Sequence, residues 1–319
     1  MFSRTPFVAR RLRGLAVAAV LGAAVIAPAH AGAPVAVPAF SGDRALDLVR
    51  RQCALGPRTP GSAGNLALRA MVIDAARKAG LRVSEQHFSA PLGPKGSGVD
   101  ACNIIVSAGP EGGERLWLAA HYDTRPWADQ DPVPARRTEP VPGANDGGSG
   151  TAVLLHLIEL LGASPPPRGV DLLFLDAEDS GRQHDAAGFC HGSRYLAASL
   201  GAFGSPLDAT RCRGLVLLDM VGRAGARVPQ EGYSLALAPD WTAAVFERAA
   251  GLGLDMFEPV PGRQVYDDHV PFLQAGVPAV DLIDFDDPRW HTTADRPEFC
   301  SAASLQQAGR LVADLVYRP

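Results

Sequence analysis

Short apolar runs that end abruptly in acidic or histidine side chains recur along this chain, and helical segments separate them. The clearest run, residues 172–177, leads directly into the adjacent acids Glu178 and Asp179, and Gly181 follows shortly after. A run of this length that is followed by acids and a glycine predicts a buried strand that opens onto a loop. Because such strands alternate with helical segments, the sequence predicts an α/β fold whose sheet is covered by helices on both faces.

The apolar patterns predict five helices and six strands. The helices are predicted over residues 42–54, 62–79, 147–161, 241–250 and 302–316. The strands are predicted over residues 81–88, 103–106, 116–120, 170–175, 215–218 and 277–283. Residues 125–143 contain five prolines and no apolar period, so a long loop is predicted there. Long loops inside compact domains are usually either functional or disordered.

The first 31 residues have the pattern of a secretory signal peptide. Four arginines precede or flank an apolar stretch over residues 14–27, and Ala29-His30-Ala31 is a small-x-small cleavage signal. The apolar stretch is shorter than the roughly 20 residues that a membrane span needs. We therefore expect cleavage after Ala31, export to the periplasm or the medium without stable membrane association, and a single domain over residues 32–319.

Charge and cysteine content limit the possible partners and covalent links. The whole chain has a formal net charge of −4, and removal of the arginine-rich leader makes the mature chain more acidic. An acidic chain without basic clusters argues against nucleic acid as a partner. An exported protein can form disulfides, but an odd count leaves at least one thiol unpaired within the chain. The pairing stays open for the five cysteines, Cys53, Cys102, Cys190, Cys212 and Cys300.

Acidic and histidine side chains follow several of the predicted strands. Taken singly, each has an ordinary explanation as a turn, a helix cap or a hydrogen-bonded core residue. Ligands of open α/β sheets bind at the carboxyl ends of the strands, so the coincidence of these side chains predicts one shared site. Imidazole nitrogen together with carboxylate oxygen suits zinc. The candidates are His121, Asp123, Asp146, Glu178, Asp179, Asp219 and His291.

The order of these motifs resembles the zinc aminopeptidase-like superfamily and, within it, the exported bacterial glutaminyl cyclases (glutaminyl-peptide cyclotransferases). The resemblance spans residues 45–316 and implies a three-layer α/β fold with a mixed, mostly parallel central sheet. The motifs that carry it are His121-Tyr122-Asp123, Gly143-Ala144-Asn145-Asp146, Asp176-Ala177-Glu178-Asp179, Leu218-Asp219-Met220-Val221-Gly222, Asp267-Asp268-His269 and Trp290-His291-Thr292.

The resemblance implies one catalytic zinc per chain. Asp146, Asp179 and His291 would bind it, with water or substrate in the fourth position. Glu178 would be the general acid and base. Asp219 and Asp267 would form a hydrogen-bonded carboxylate network beside it and share a proton, because close carboxylates cannot all ionise.

The resemblance also implies a substrate pocket and a reaction. Trp290 would line the pocket, with Tyr266 and Phe189 as further walls, although Phe189 fits a core position equally well. The substrates would be peptides or proteins with an N-terminal Gln, whose α-amine attacks the γ-carboxamide and expels ammonia. A metal can polarise the carbonyl group and a nearby carboxylate can carry the proton. A monomer is expected.

Two other functions stay open on the sequence. A zinc aminopeptidase of the same fold would use two ions, with His121 and Asp219 as additional ligands, Asp123 as support and Glu178 activating water. Three features favour the cyclase by resemblance: Trp290 before His291, the segment around Asp267, and the loop Arg125-Pro126-Trp127, in which Trp127 itself is predicted as a core or rim aromatic. An inactive binding protein would require the loss of a ligand or of the base, and none is missing.

Overall fold

The computed structural model describes residues 1–3, 36–92, 97–182 and 185–318. The predicted signal peptide falls almost wholly on residues 4–35, which lie outside the described residues. One compact unit covers Val35–Pro319. Within the described ranges, no helix combines the length and the apolar character that a membrane span requires.

A six-stranded mixed sheet forms the centre of this unit. The strands of the chain are β1 (Arg82–Ala90), β2 (Val99–Ala108), β3 (Arg115–His121), β4 (Gly169–Leu175), β5 (Cys212–Asp219), β6 (Val228–Gln230), β7 (Phe257–Pro261) and β8 (Ala279–Ile283). The spatial order of the central sheet is β1-β2-β4-β3-β5-β8. Neighbours from β4 to β8 run parallel, whereas β1 and β2 are antiparallel to each other and β2 is antiparallel to β4. The predicted mixed, mostly parallel sheet is therefore confirmed.

Eight α-helices surround the sheet in the described part of the chain. They are α1 (Gly42–Cys53), α2 (Ala63–Lys78), α3 (Gly148–Ala163), α4 (His191–Ser199), α5 (Gly232–Leu237), α6 (Pro239–Gly251), α7 (His269–Gln274) and α8 (Ala302–Tyr317). The five predicted helices are confirmed as α1, α2, α3, α6 and α8. The other three helices have nine residues or fewer, so they are too short to display a helical apolar period.

Alternate residues of the strands pack into two separate cores, one on each face of the sheet. On β3, Leu118 and Ala120 face the core that α1, α2, α3 and α8 cover. Trp117 and Ala119 face the opposite core, where Phe272 of α7 packs edge-on against the Trp117 ring at 6.1 Å between centroids. Successive side chains of a strand point to opposite faces, so this pattern confirms the predicted three layers.

The cysteines are distributed through these layers and remain unlinked. Cys102, Cys190 and Cys300 are buried, and Cys53 and Cys212 are half-buried. All five are free thiols in the structure. The sequence did not decide between disulfides and free thiols, and the structure shows free thiols at all five positions.

The start of α3 crosses the end of β5 in unusually close contact, and a glycine makes this possible. A Cβ atom at Gly150 would collide with the backbone carbonyl of Leu218 and would crowd the Cβ atom of Ala120. The absence of a side chain therefore lets the loop before α3 approach the carboxyl ends of β3 and β5. Gly150 determines how near Asp146 can come to those strand ends.

Replacing Gly150 by Ala should lower the free energy of unfolding by about 1–3 kcal/mol, because an added methyl group in a packed interior forces backbone shifts. Chemical denaturation of the metal-free protein measures this change. Gly251→Ala is the matched control, since a Cβ at that helix end meets nothing within 4 Å. Equal stability of the two variants would show that the α3–β5 approach is not tightly packed.

Candidate metal centre

The carboxyl ends of the parallel strands bring the predicted site residues together. His121 ends β3, Glu178 and Asp179 follow β4, and Asp219 ends β5. Among the described residues, four non-glycine residues have positive φ angles, and all four flank this edge: Ala177, Cys190, Met220 and His291, at 58°, 57°, 50° and 56°. Such backbone conformations are uncommon for L-residues and concentrate at functional sites.

Asp146, Asp179 and His291 form a compact group of donor atoms. One donor atom from each lies within 4.8 Å of the others, and all three side chains are buried. The His291 Nε2 atom lies 3.3 Å from Asp179 Oδ1 and 3.8 Å from Asp146 Oδ2. Asp146 Oδ2 and Asp179 Oδ2 have no hydrogen-bond partner among the described residues. Since buried carboxylate oxygens without partners are costly, this nitrogen and oxygen set fits a zinc ion.

A second donor group shares Asp146 with the first. His121 Nε2 lies 3.2 Å from Asp146 Oδ1 and 3.4 Å from Asp219 Oδ1. Burial lowers the pKa of His121, but the neighbouring carboxylates of Asp123, Asp146 and Asp219 outweigh it and raise that pKa well above its usual range. The structure therefore contains both the predicted one-metal set and the additional residues of the two-metal alternative.

Two buried carboxylates hold the backbone of the ligand-bearing segments. Asp123 accepts hydrogen bonds from the N–H groups of Glu178 and Asp179, at 3.0 and 3.2 Å. Asp295 accepts from the N–H groups of Asn145 and Asp146, at 2.8 and 3.1 Å. Asp123 was predicted near the site, whereas Asp295 was not, because its position four residues after His291 gives no sign of this contact.

Glu178 lies beside a cluster of further acids. The carboxylates of Glu178 and Asp267 and the Cys190 thiol each have one atom within 4.8 Å of the others. Burial raises the pKa of Glu178 well above its usual range, and the negative charge of Asp179 adds to the effect. Burial and the charge of Asp219 raise the pKa of Asp267 to about 7. A raised pKa suits a carboxyl group that accepts a proton and returns it during a reaction.

A cavity of about 280 Å³ opens onto these groups. The Trp290 ring stacks on the His291 ring at 3.6 Å between centroids and packs against Phe285 at 5.0 Å. The cavity lining includes all three predicted wall residues together with the acids, namely Asp146, Glu178, Asp179, Phe189, Asp219, Tyr266, Asp267, Trp290 and His291. Chemistry rather than size identifies this cavity, because a larger one of about 760 Å³ between α1, α2 and α3 contains none of these side chains.

Trp127 lies outside this lining, in a neighbouring cavity of about 550 Å³. The Arg182 guanidinium lies over its ring at 4.6 Å from the centroid. The half-buried Trp127 thus occupies a rim position, in agreement with its prediction as a core or rim aromatic.

The sequence singled out Arg125 only as part of a loop that carries the resemblance and did not single out Asp129, so neither residue was given a role in the site. Arg125 Nη1 donates to Asp179 Oδ1 at 2.6 Å, and its remaining guanidinium nitrogens bind Asp129. An Arg followed four residues later by an Asp is a visible charge pair. Its link to Asp179, 54 positions away, depends on tertiary structure.

Comparison with known proteins finds relatives that are similar in sequence and in fold. The sequence profile described as peptidase family M28 matches residues 103–316. The fold is similar to the crystal structure of a Bacteroides thetaiotaomicron glutaminyl cyclase, with a TM-score of 0.83 and 33% identity over 89% of this chain and 100% of that chain. A glutaminyl-peptide cyclotransferase-like protein of Bos taurus is 28% identical, covering 80% of this chain and 70% of its own. An aminopeptidase of Bacillus subtilis is 26% identical over 87% of this chain and 57% of its own.

Replacing His291 by Ala should reduce the bound zinc from about one ion per chain to well below one, because tight zinc binding needs its full ligand set. Elemental analysis after dialysis against trace zinc measures the stoichiometry. His156→Gln serves as the control, since His156 is a buried histidine of α3 that binds Ser41 and Glu159 instead. An unchanged zinc content in the His291 variant would remove this residue from the ligand set.

Proposed function

The chain belongs to peptidase family M28, and we propose that it is a zinc-dependent glutaminyl-peptide cyclotransferase. It converts the N-terminal Gln of peptides and proteins to pyroglutamate and releases ammonia. The observation that carries this proposal is the position of Glu178 in a small aromatic-walled cavity, directly beside the Asp146–Asp179–His291 group. A cavity of about 280 Å³ suits the side chain of one residue better than an extended peptide.

Asp146, Asp179 and His291 would hold the zinc ion and leave one position for the substrate. Zinc bound there supplies Lewis-acid polarisation of the substrate's γ-carbonyl group. Two carboxylates and one imidazole would leave the bound ion with little net positive charge. This set is also the type of three-residue ligand group found in zinc sites that keep an open position.

Glu178 carries the proton in the proposed reaction. The α-amine nitrogen forms a bond to the carbonyl carbon of the γ-carboxamide group (Cδ), and Glu178 accepts the proton that the amine nitrogen loses. Glu178 then returns this proton to the amide nitrogen, the bond between carbon and that nitrogen breaks, and ammonia leaves. The negative charge of Asp267 favours the protonated form of Glu178, because it raises the pKa of that carboxyl group. No water molecule is consumed, so the reaction benefits from a cavity that excludes water.

The aromatic walls orient the substrate in this proposal. Trp290, Tyr266 and Phe189 offer apolar surface to the two methylene groups of the Gln side chain. The Tyr266 hydroxyl accepts hydrogen bonds from Arg194, at 3.2 and 3.1 Å, which fixes that wall. Held in this way, the flexible side chain stays folded over its own amine, and this orientation lowers the entropic cost of ring closure.

Peptide hydrolysis is the second candidate, and a specific observation favours it. His121, Asp146 and Asp219 form a second donor group next to the first, which suits a two-zinc aminopeptidase. In that case Glu178 activates water for attack on a peptide bond. An inactive binding protein has no comparable support, because every candidate ligand and Glu178 are present.

The expected site of action and oligomeric state belong to the same proposal. The basic leader, the apolar stretch and the Ala29-His30-Ala31 signal support export and cleavage after residue 31. The mature enzyme then meets peptides and proteins outside the cytoplasm. We propose that it acts as a monomer, since one chain supplies all the candidate site residues.

Two substrates separate the candidate reactions. The purified, zinc-loaded protein is incubated with a Gln-initiated peptide and, separately, with aminoacyl chromogenic amides. A cyclotransferase lowers the peptide mass by one ammonia and leaves the amides intact. Release of the chromophore without any change in the Gln peptide would instead identify an aminopeptidase.

Glu178→Gln should lower kcat for cyclisation by about 10²–10⁴-fold, because the amide cannot carry the proton. Zinc content and the melting temperature should stay at their wild-type values. Glu258→Gln is the matched control, since Glu258 on β7 pairs with the exposed Arg227 and lies outside the cavity lining. Full activity of the Glu178 variant would overturn the assignment of the base.

A further inference from the structure

The proline-rich loop over residues 125–143 contacts both Asp179 and His291 at the metal centre, and Arg125 lies at the start of the loop. The Arg125 side chain is 1% exposed, and each of its three guanidinium nitrogens donates a hydrogen bond. Nε and Nη2 each donate to one oxygen of Asp129 at 2.8 Å, and Nη1 donates to Asp179 Oδ1 at 2.6 Å. One planar group thus joins the loop to a candidate zinc ligand.

Asp129 extends this connection to His291, the ligand on the opposite side. Asp129 Oδ1 lies 3.4 Å from His291 Nδ1, an ion-pair distance at which Nδ1 makes no hydrogen bond among the described residues. This leaves the other ring nitrogen, Nε2, directed towards Asp146 and Asp179. A carboxylate beside the second nitrogen of a metal-binding histidine favours the tautomer with the proton on that nitrogen and restricts the ring orientation.

The residues after Asp129 bind the same segment through its backbone. The N–H group of Gln130 donates to the carbonyl of His291 at 3.2 Å. Asp131 accepts from the N–H and hydroxyl groups of Thr293, at 3.0 and 2.6 Å. Since His291 has a left-handed backbone, these contacts hold the residue in a conformation that it would not adopt alone.

Two aromatic rings enclose the Arg125 guanidinium. Its central carbon lies 5.6 Å from the centroid of the Trp127 ring and 5.5 Å from that of Phe189. The backbone of Phe189 also pairs with that of Asp179 in an isolated bridge. The ion pair between Arg125 and Asp179 is buried, which strengthens it and limits the freedom of the Asp179 carboxylate.

We propose that Arg125 and Asp129 form a positioning pair that fixes Asp179 and His291 relative to each other for metal binding. Arg125 binds Oδ1 of Asp179, which also lies 3.3 Å from His291 Nε2, and Oδ2 has no partner among the described residues. Lysine cannot replace it fully, because one ammonium cannot bind both carboxylates in a planar fork. This inference rests on the zinc centre of the proposed function, but not on whether the reaction is cyclisation or peptide hydrolysis.

The test measures zinc affinity by chelator competition in the wild type, Arg125→Met, Arg125→Lys and Asp129→Asn. Arg125→Met should bind zinc about 10–100-fold more weakly, as is typical when a partner of a metal ligand is lost. Asp129→Asn should weaken binding in the same direction, and Arg125→Lys should lie between Arg125→Met and the wild type. In the double variant Arg125→Met/Asp129→Asn, the loss of zinc-binding free energy should be smaller than the sum of the two single losses, because both side chains act in one connection.

The visible spectrum of the cobalt-loaded protein separates positioning from simple loss of stability. A displaced ligand should shift the cobalt absorption bands in folded Arg125→Met and Asp129→Asn, and Arg125→Lys should partly restore them. Arg182→Met is the matched control, because exposed Arg182 covers the same Trp127 ring and makes no ion pair among the described residues. It should keep the wild-type affinity and spectrum.

Each outcome has a definite meaning. Zinc affinity within twofold of the wild type and an unchanged cobalt spectrum in Arg125→Met would overturn the inference and leave the proposed function standing. If Arg125→Met does not fold, wild-type affinity and spectrum in Asp129→Asn would overturn it instead. Absence of zinc binding in the wild type itself would contradict the zinc centre of the proposed function as well.

Discussion

Buried negative charge at one edge of the sheet is the constraint on which the rest of the site depends. Removing carboxylates from water costs several kcal/mol each, and their mutual repulsion adds to that cost. The structure compensates in two ways that differ between residues. Some acids can keep a proton, as the raised pKa values of Glu178 and Asp267 indicate. Asp179 instead faces the Arg125 guanidinium, and the Oδ2 atoms of Asp146 and Asp179, which have no partner among the described residues, mark where a further cation is needed.

This arrangement requires strained backbone conformations at the strand ends. Left-handed conformations at Ala177, Met220 and His291 cost on the order of 1–3 kcal/mol each, and they persist only where the surroundings enforce them. Asp123 supplies part of that enforcement beside Ala177, because it accepts hydrogen bonds from the next two N–H groups. The two cores on either side of the sheet provide the stability that offsets the strain.

The sequence predicted the parts of the site that follow directly from strands. A short apolar run that ends in an acid identifies both a strand and the edge where its functional residue lies, so Asp179 and Asp219 could be predicted together with β4 and β5. The short helices could not, because six to nine residues are too few for a helical apolar period. The separate two-stranded sheet of β6 and β7 could not either, because both strands contain proline and are mostly not buried. The connection from Arg125 to Asp179 also escaped prediction, since it joins a loop without periodicity to a distant strand end. The number of metal ions stayed open because Asp146 belongs to both donor groups.

The central claim is that one zinc ion occupies the group formed by Asp146, Asp179 and His291. Anomalous X-ray diffraction from zinc-loaded crystals, recorded on both sides of the zinc absorption edge, tests it most directly. We expect one strong anomalous peak per chain, in contact with these three side chains and adjacent to Glu178. A second peak of equal strength bounded by His121 and Asp219, or no peak at this edge of the sheet, would contradict the claim.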